Sequence, residues 1–170
     1  MQIIYAGKPY PEDQIAIQQF NKIVEKLNPH QNCVVLTGYE LALSNLLKKG
    51  ADVWLNNPMM FREASGTSGM TAAMNGAINL SIPDGWIPEF AKDKINSFII
   101  NPSTGSLSNE EVNRQENLNL MNTLTDTVLP LYYENVLGWT KMVKQAAADV
   151  IPNFESARMV TEYEQNLYQF

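Results

Sequence analysis

Short apolar runs rich in β-branched residues alternate along this chain with stretches whose apolar residues recur at helical spacing. No other feature constrains the fold as much. MQIIYAG stops at Gly7, CVVLTG runs from Cys33 to Gly38, and DVWLN runs from Asp52 to Asn56. Between the first two runs, Ala16, Phe20, Ile23, Val24 and Leu27 fall on one helical stripe. Pro11 stands where a first helical turn tolerates proline, and Asn28-Pro29 ends the stripe. Between the second and third runs, Leu43, Leu46 and Leu47 follow at helical spacing, with Leu41 near the start and Gly50 as the C-terminal stop. INLSI (Ile78 to Ile82) and SFIIN (Ser97 to Asn101) add a fourth and a fifth strand. Strands and helices alternating over short connections form βαβ units and a parallel sheet. Strands this continuously apolar suit a sheet covered on both faces. The expected class is therefore α/β, with one parallel sheet of about five strands and helices on both faces.

From Asn109 the texture becomes helical. NEEVNRQEN reads as a solvated helix start with its acids near the N-terminus. Leu120, Met121, Leu124 and Val128 form a stripe that Pro130 interrupts. Gly138-Trp139 opens a run with Met142, Val143 and Ala146 that Pro152 is expected to stop. Ser156 or a neighbour caps a last helix with Val160, Tyr163 and Leu167 on one face. No repeat or linker divides the chain. The expectation is a single domain over residues 1–170, with a sheet region at 1–108 and C-terminal helices at 109–170.

Composition removes several classes of function. A net charge of -6 argues against nucleic acid as a main partner. No apolar run reaches the ~20 residues of a membrane span. Met1 runs straight into strand-like sequence, so no secretory signal is expected and the cytoplasm is the default compartment. The one cysteine, Cys33, gives neither a disulfide framework nor a zinc set and is expected to be a buried strand residue. The one histidine, His30, lies in a helix-ending loop and is poorly placed for a Ser–His–Asp or Cys–His mechanism. No metal site is expected.

The stretch REASGTSGMTAAMNGAINL, Arg62 to Leu80, is the candidate site. Ser65, Gly66, Thr67, Ser68 and Gly69 lead into Met70, Ala73, Met74 and Ala77 at helical spacing, so a bare polar loop feeds a helix N-terminus. The first amides of a helix lack internal partners and carry partial positive charge, which suits anions and sugar hydroxyls. Glu63 stands just before the turn, where a carboxylate could accept from two adjacent sugar hydroxyls. Ordinary N-capping and turn chemistry would also produce this sequence, and spacing alone leaves both readings open. No dinucleotide fingerprint and no P-loop lysine is present. Trp86, beside Asp84-Gly85, could stack on a sugar face or pack in the core. The methionines, Met59, Met60, Met70 and Met74 among them, suit core packing.

EASGTSGM followed by an NG and an apolar strand resembles the signature of the glycogen and α-glucan phosphorylase family. IIYAGKPYPED, GADVWLNNP, DGWIPEF and the tail VLPLYYE to FESARMVTEYEQNLY are similar to further segments of the same family, so the resemblance spans essentially the whole chain. It implies the distal part of the C-terminal lobe of a GT-B glycosyltransferase, with a Rossmann-like sheet. The family's N-terminal lobe and its basic phosphate-binding segment are missing here. Family enzymes move a glucosyl unit between an α-1,4-glucan end and orthophosphate with the help of pyridoxal phosphate. Carried over by position, Glu63, Ser65 and Gly66 would hold glucosyl hydroxyls. Thr67 and Ser68 would meet the cofactor phosphate, with Tyr39 of TGYELAL beside the cofactor. Asp84 and Glu89 match a segment read as mainly structural.

One departure matters. The residue after G-M is the family's Schiff-base lysine, and here it is Thr71, which has no amine. Neither Lys92 nor Lys94 is placed to replace it. Covalent attachment of pyridoxal phosphate is therefore lost, and none is expected to be bound. The resemblance implies a parent hexosyltransferase that uses an α-glucan or hexose donor, with this piece inactive alone. A non-catalytic sugar-binding or scaffold module is the rival reading. A cut lobe also makes self-association plausible.

Overall fold

The computed structural model describes residues 1–103 and 108–168. The elements run β1 (Ile3–Ala6), α1 (Gln14–Leu27), β2 (Cys33–Leu36), α2 (Leu41–Gly50), β3 (Val53–Asn56), α3 (Thr67–Met74), β4 (Ile78–Ser81), α4 (Ile87–Phe90) and β5 (Ser97–Ile99). Then follow α5 (Asn109–Thr123), a π-helical turn (Leu124–Val128), α6 (Leu129–Glu134), α7 (Val136–Phe154) and α8 (Ser156–Asn166). The class is α/β, with parallel sheets flanked by helices and a helical C-terminal segment. The five strands form two sheets rather than the expected one: β1–β2 and β3–β4–β5. Alternation dictates that successive strands run parallel, but it does not dictate which strands become neighbours. The chain divides into two compact units, Met1–Leu47 and Lys48–Phe170.

In the first unit, β1 and β2 pair in register from Ile3 with Cys33 to Ala6 with Leu36. Asp13, not Pro11, starts α1: its Oδ1 accepts from the Ala16 N–H at 2.9 Å. A carboxylate can satisfy an orphan amide of the first turn, and a proline cannot. Ala16, Ile17, Phe20, Val24 and Leu27 are half-buried, whereas Ile23 is exposed. Val35 is buried. Cys33 is only half-buried, short of the expected core position.

The second unit holds the main core. Every residue of β4 is buried, so both faces of this central strand are covered. Ile78, Leu80, Ile82, Phe98 and Ile100 pack with Trp86, Ile87 and Phe90, and with Met142, Ala146 and Val150 of α7. Burying each large apolar side chain contributes about 1.5–3 kcal/mol. Met60, Met70 and Met74 pack against this core, while Met59 is exposed. Pro130 falls in the first turn of α6, where its missing N–H costs little, and the π-helical turn precedes it. Pro152 does not stop α7, which continues to Phe154. Ser156 is the first residue of α8 rather than its cap; Glu155 takes the N-cap position without a side-chain bond. Ser108 and Glu111 cap α5 reciprocally, which gives one of the acids expected there a specific role.

Candidate functional site

β3 and β4 pair in parallel with Asn56 opposite Ser81, so the segments that follow them leave from one edge of the sheet. Carboxyl edges of parallel strands are where open α/β sheets bind ligands. Asp84 ties the two segments together. Its Oδ2 accepts from the N–H groups of Arg62 (3.0 Å) and Glu63 (3.1 Å), and its Oδ1 from that of Gly85 (2.9 Å). The Glu63 amide foremost, with those of Gly85, Arg62 and Phe61, holds the Asp84 carboxyl below the usual carboxylate range against a desolvation that works the other way. The Trp86 N–H donates to Ser65 O at 2.9 Å. Gly85 has φ +61°, and a Cβ there would stand 2.6 Å from Ser65 O, so only glycine permits this approach.

The stapled loop delivers Gly66, with φ +89°, as the N-cap of α3. No side chain caps this helix. Among the described residues, the amides of Thr67 and Ser68 meet no protein acceptor, and the carboxylate of Glu63 has no hydrogen-bond or ion-pair partner. Glu63, Ser65, Gly66, Ser68, Asp84 and Trp86 line a hollow of about 40 Å³. Ligand pockets usually measure ~300–1,000 Å³, so this hollow is too small to enclose a sugar or pyridine ring.

Beneath α3 lies an amide ladder. Asn56 Nδ2 donates to Asn79 Oδ1 at 2.7 Å, and Asn79 Nδ2 to Gly69 O at 3.2 Å. Trp86 is a core residue, 2% exposed and stacked on Phe90 with ring centroids 4.6 Å apart. Packing, not stacking on a sugar face, is its structural role. Thr71 is exposed on α3, and its Oγ1 donates to Thr67 O at 3.1 Å. Tyr39 lies in the first unit, where its hydroxyl donates to Ser44 Oγ at 2.7 Å. Glu89 is exposed in α4.

The turn thus brings Glu63, Ser65, Gly66 and Ser68 to one hollow, while Thr67 and Thr71 are exposed on α3 and do not line it. Sequence reasoning missed Asn56 and Ser81, which also line the hollow. Their only signal was position, as the closing residues of two apolar strands. Among the described residues no group of three or more His, Cys, Asp or Glu side chains could hold a metal ion, and no helix is long and apolar enough to cross a membrane.

No family model matches the chain. It is 37% identical over 169 residues to the maltodextrin phosphorylase of Thermococcus litoralis, an alignment covering 98% of this chain and 20% of that protein. It is 36% identical over 180 residues to the glycogen phosphorylase of Aquifex aeolicus, covering 99% of this chain and 25% of that one. An uncharacterized protein of Methanocaldococcus jannaschii is 39% identical over 170 residues, with 31% of its length covered. The chain spans about a fifth to a third of the length of these relatives. It is a partial match to the phosphorylase family, a short piece corresponding to one region of glycogen-phosphorylase-like proteins.

The residues present do not fit pyridoxal phosphate as a covalent group. Thr71 offers no amine and its hydroxyl is already donated within the helix. No lysine lies between Lys49 and Lys92, and Lys92 Nζ is paired with Asp149 Oδ2 at 3.3 Å.

Proposed function

We propose that the chain supplies the donor-sugar and phosphate cradle of a cytoplasmic hexosyltransferase acting on α-glucans, as part of a Rossmann-like GT-B lobe. One observation carries the reading. In a chain similar over nearly its whole length to glycogen and maltodextrin phosphorylases, an unpartnered carboxylate and two unpartnered helix amides stand on one stapled turn. Glu63 accepts from hydroxyls of the hexose, with Ser65 and Gly66 beside it, while the amides of Thr67 and Ser68 hold phosphate oxygens at the positive end of α3.

In this reading the missing amine at Thr71 favours a donor other than the one used in standard phosphorolysis. Without an imine-forming amine the phosphate at α3 is not that of a covalently held cofactor, so it arrives with the donor itself, as a sugar phosphate or nucleotide sugar, or the enzyme is a degenerate phosphorylase. In this reading the partners are an α-glucan or hexose donor, a second copy of the chain and, where the chain is part of a longer polypeptide, that polypeptide's N-terminal lobe; neither nucleic acid nor membrane is one. The hollow is too small to enclose a hexose, so the piece alone binds without turnover. The second reading, a sugar-binding or scaffold module without catalysis, is favoured by the same missing amine.

The test is an amide chemical-shift titration of the isolated chain with glucose 1-phosphate. Saturable shifts at Gly66, Thr67 and Ser68, weakened by Glu63→Gln, are expected; if those amides do not respond, the cradle reading fails and the scaffold reading stands. Pyridoxal phosphate followed by borohydride leaves no adduct between Gly50 and Ala91, a stretch without lysine.

A further inference from the structure

A second hollow lies away from the glycine turn. It measures about 520 Å³, within the ~300–1,000 Å³ range of ligand pockets, and shares no lining residue with the first. Lys94, on its rim, precedes β5 at the amino edge of the parallel sheet, whereas the glycine turn leaves from the carboxyl edge of β3. The floor is apolar and buried. Phe98 of β5 is 1% exposed and Met142 of α7 is 4% exposed, with half-buried Leu131 of α6 beside them.

The shape of one wall has a cause in the sequence. Pro130 has no N–H, and in an unbroken α-helix its ring would meet the carbonyl of Asp126. The chain widens there instead. The Leu129 N–H donates to Leu124 O, five residues back, and Leu124–Val128 forms the π-helical turn. Such turns inside helical runs recur at functional sites. This one carries Asp126 and Thr127 to the hollow.

Charge selects the occupant. The rim holds two carboxylates, Asp126 and Glu134, against one ammonium, Lys94. Asp126 Oδ1 accepts from Thr125 Oγ1 at 2.8 Å. Among the described residues, neither the Glu134 carboxylate nor the Lys94 ammonium has a hydrogen-bond or ion-pair partner. Glu134 also closes α6, the last part of a helical run that begins at Asn109. The partial charge at that end is negative, so a cation is the stabilising neighbour and an acid is not. An unpaired acid at the negative end of a helix, beside a second acid and over an apolar floor, is matched by a positive head joined to an apolar body. An anion placed between the same two acids would be repelled.

We propose that this hollow is a binding site for an organic cation: an amine whose ammonium lies against Glu134 and Asp126 and whose apolar body rests on Phe98, Leu131 and Met142. The site is independent of the cradle reading, because the two hollows have no residue in common.

The test titrates the isolated chain, labelled at its amides and methionine methyls, with benzylamine, benzyl alcohol and benzoate. Benzylamine should move the Met142 methyl and the Asn135 amide saturably and leave the amides of Gly66, Thr67 and Ser68 unchanged. Benzyl alcohol keeps the ring and loses the charge, so it should bind about 10-fold more weakly, the size of one hydrogen bond to a charged group. Glu134→Gln, at an exposed position, should bring benzylamine down to the level of the alcohol and leave the alcohol unchanged. Equal affinity for amine and alcohol in the unsubstituted chain overturns the cation assignment, as does benzoate binding more tightly than the amine. Shifts that grow without saturating, or a silent Met142 methyl, overturn the site itself. Glucose 1-phosphate added to the same sample reports the cradle at α3 separately, so either reading can fail alone.

Discussion

A single carboxylate sets the geometry of the candidate site. Asp84 accepts from three backbone amides, and two of them belong to the segment that carries Glu63. Its folded pKa lies below the unfolded value, so its stabilisation is complete at neutral pH and is lost as pH falls through the depressed value. Hydrogen exchange should accordingly show the Arg62 and Glu63 amides protected at neutral pH and released together at acidic pH. In Asp84→Ala they should exchange freely throughout, with glucose 1-phosphate bound more weakly. Protection that survives the substitution would mean the loop is held by other contacts. The sequence showed that Asp84 sits in a turn after a strand, and its structural reading came from the DG-x-x-x-E resemblance. Its partners were hidden because hydrogen bonds to residues 62 and 63 cross a strand and a helix. Thr71 is the opposite case. Its lack of an amine is plain from the residue itself, and its bond to Thr67 follows from being one helical turn away.

Among the elements, α3 most clearly sets local preference against packing. Gly69 lies inside this helix, where alanine would normally gain about 1 kcal/mol. A Cβ there would meet Asn79 Oδ1 at 2.8 Å, Trp86 Nε1 at 3.0 Å and Asn56 Nδ2 at 3.1 Å, all held in a packed layer. Overpacking of this kind costs about 1–3 kcal/mol, so packing outweighs propensity. Gly69→Ala should destabilise the chain by about 1–2 kcal/mol in urea unfolding; a gain in stability would show that α3 is free to lift. Helix and strand identities were legible because the apolar period is local. Boundaries were less so. Pro152 sits inside α7, whose next residues carry Phe154 onto the ring of Trp86. The four-residue α4 is too short to display a period, and the sequence pattern assigns no element there. α8 has its expected face, yet Val160, Tyr163 and Leu167 are 49%, 46% and 67% exposed, because a helical period shows which residues align and not whether anything covers them.

At the scale of the molecule, exposed apolar side chains are prominent. Ile4 and Val34, a registered pair on β1 and β2, are both exposed, as is the face of α8. Parallel sheets are usually covered on both faces. Size-exclusion chromatography with light scattering should therefore show species heavier than the 19.1 kDa monomer as concentration rises, and Val34→Lys should shift the population towards monomer. A strictly monomeric chain at high concentration would remove the second copy from the proposed partners. The alternation of apolar runs by itself determined the α/β class, the parallel sense of the strands and the place of a bare turn before a helix, since each depends on residues within a few positions of one another. Tertiary structure alone decided that the strands divide between two sheets, that Asp84 staples the turn and that Trp86 packs into the core against Phe90 and Phe154. Those outcomes rest on distances between residues far apart in the chain, and no local period carries that information.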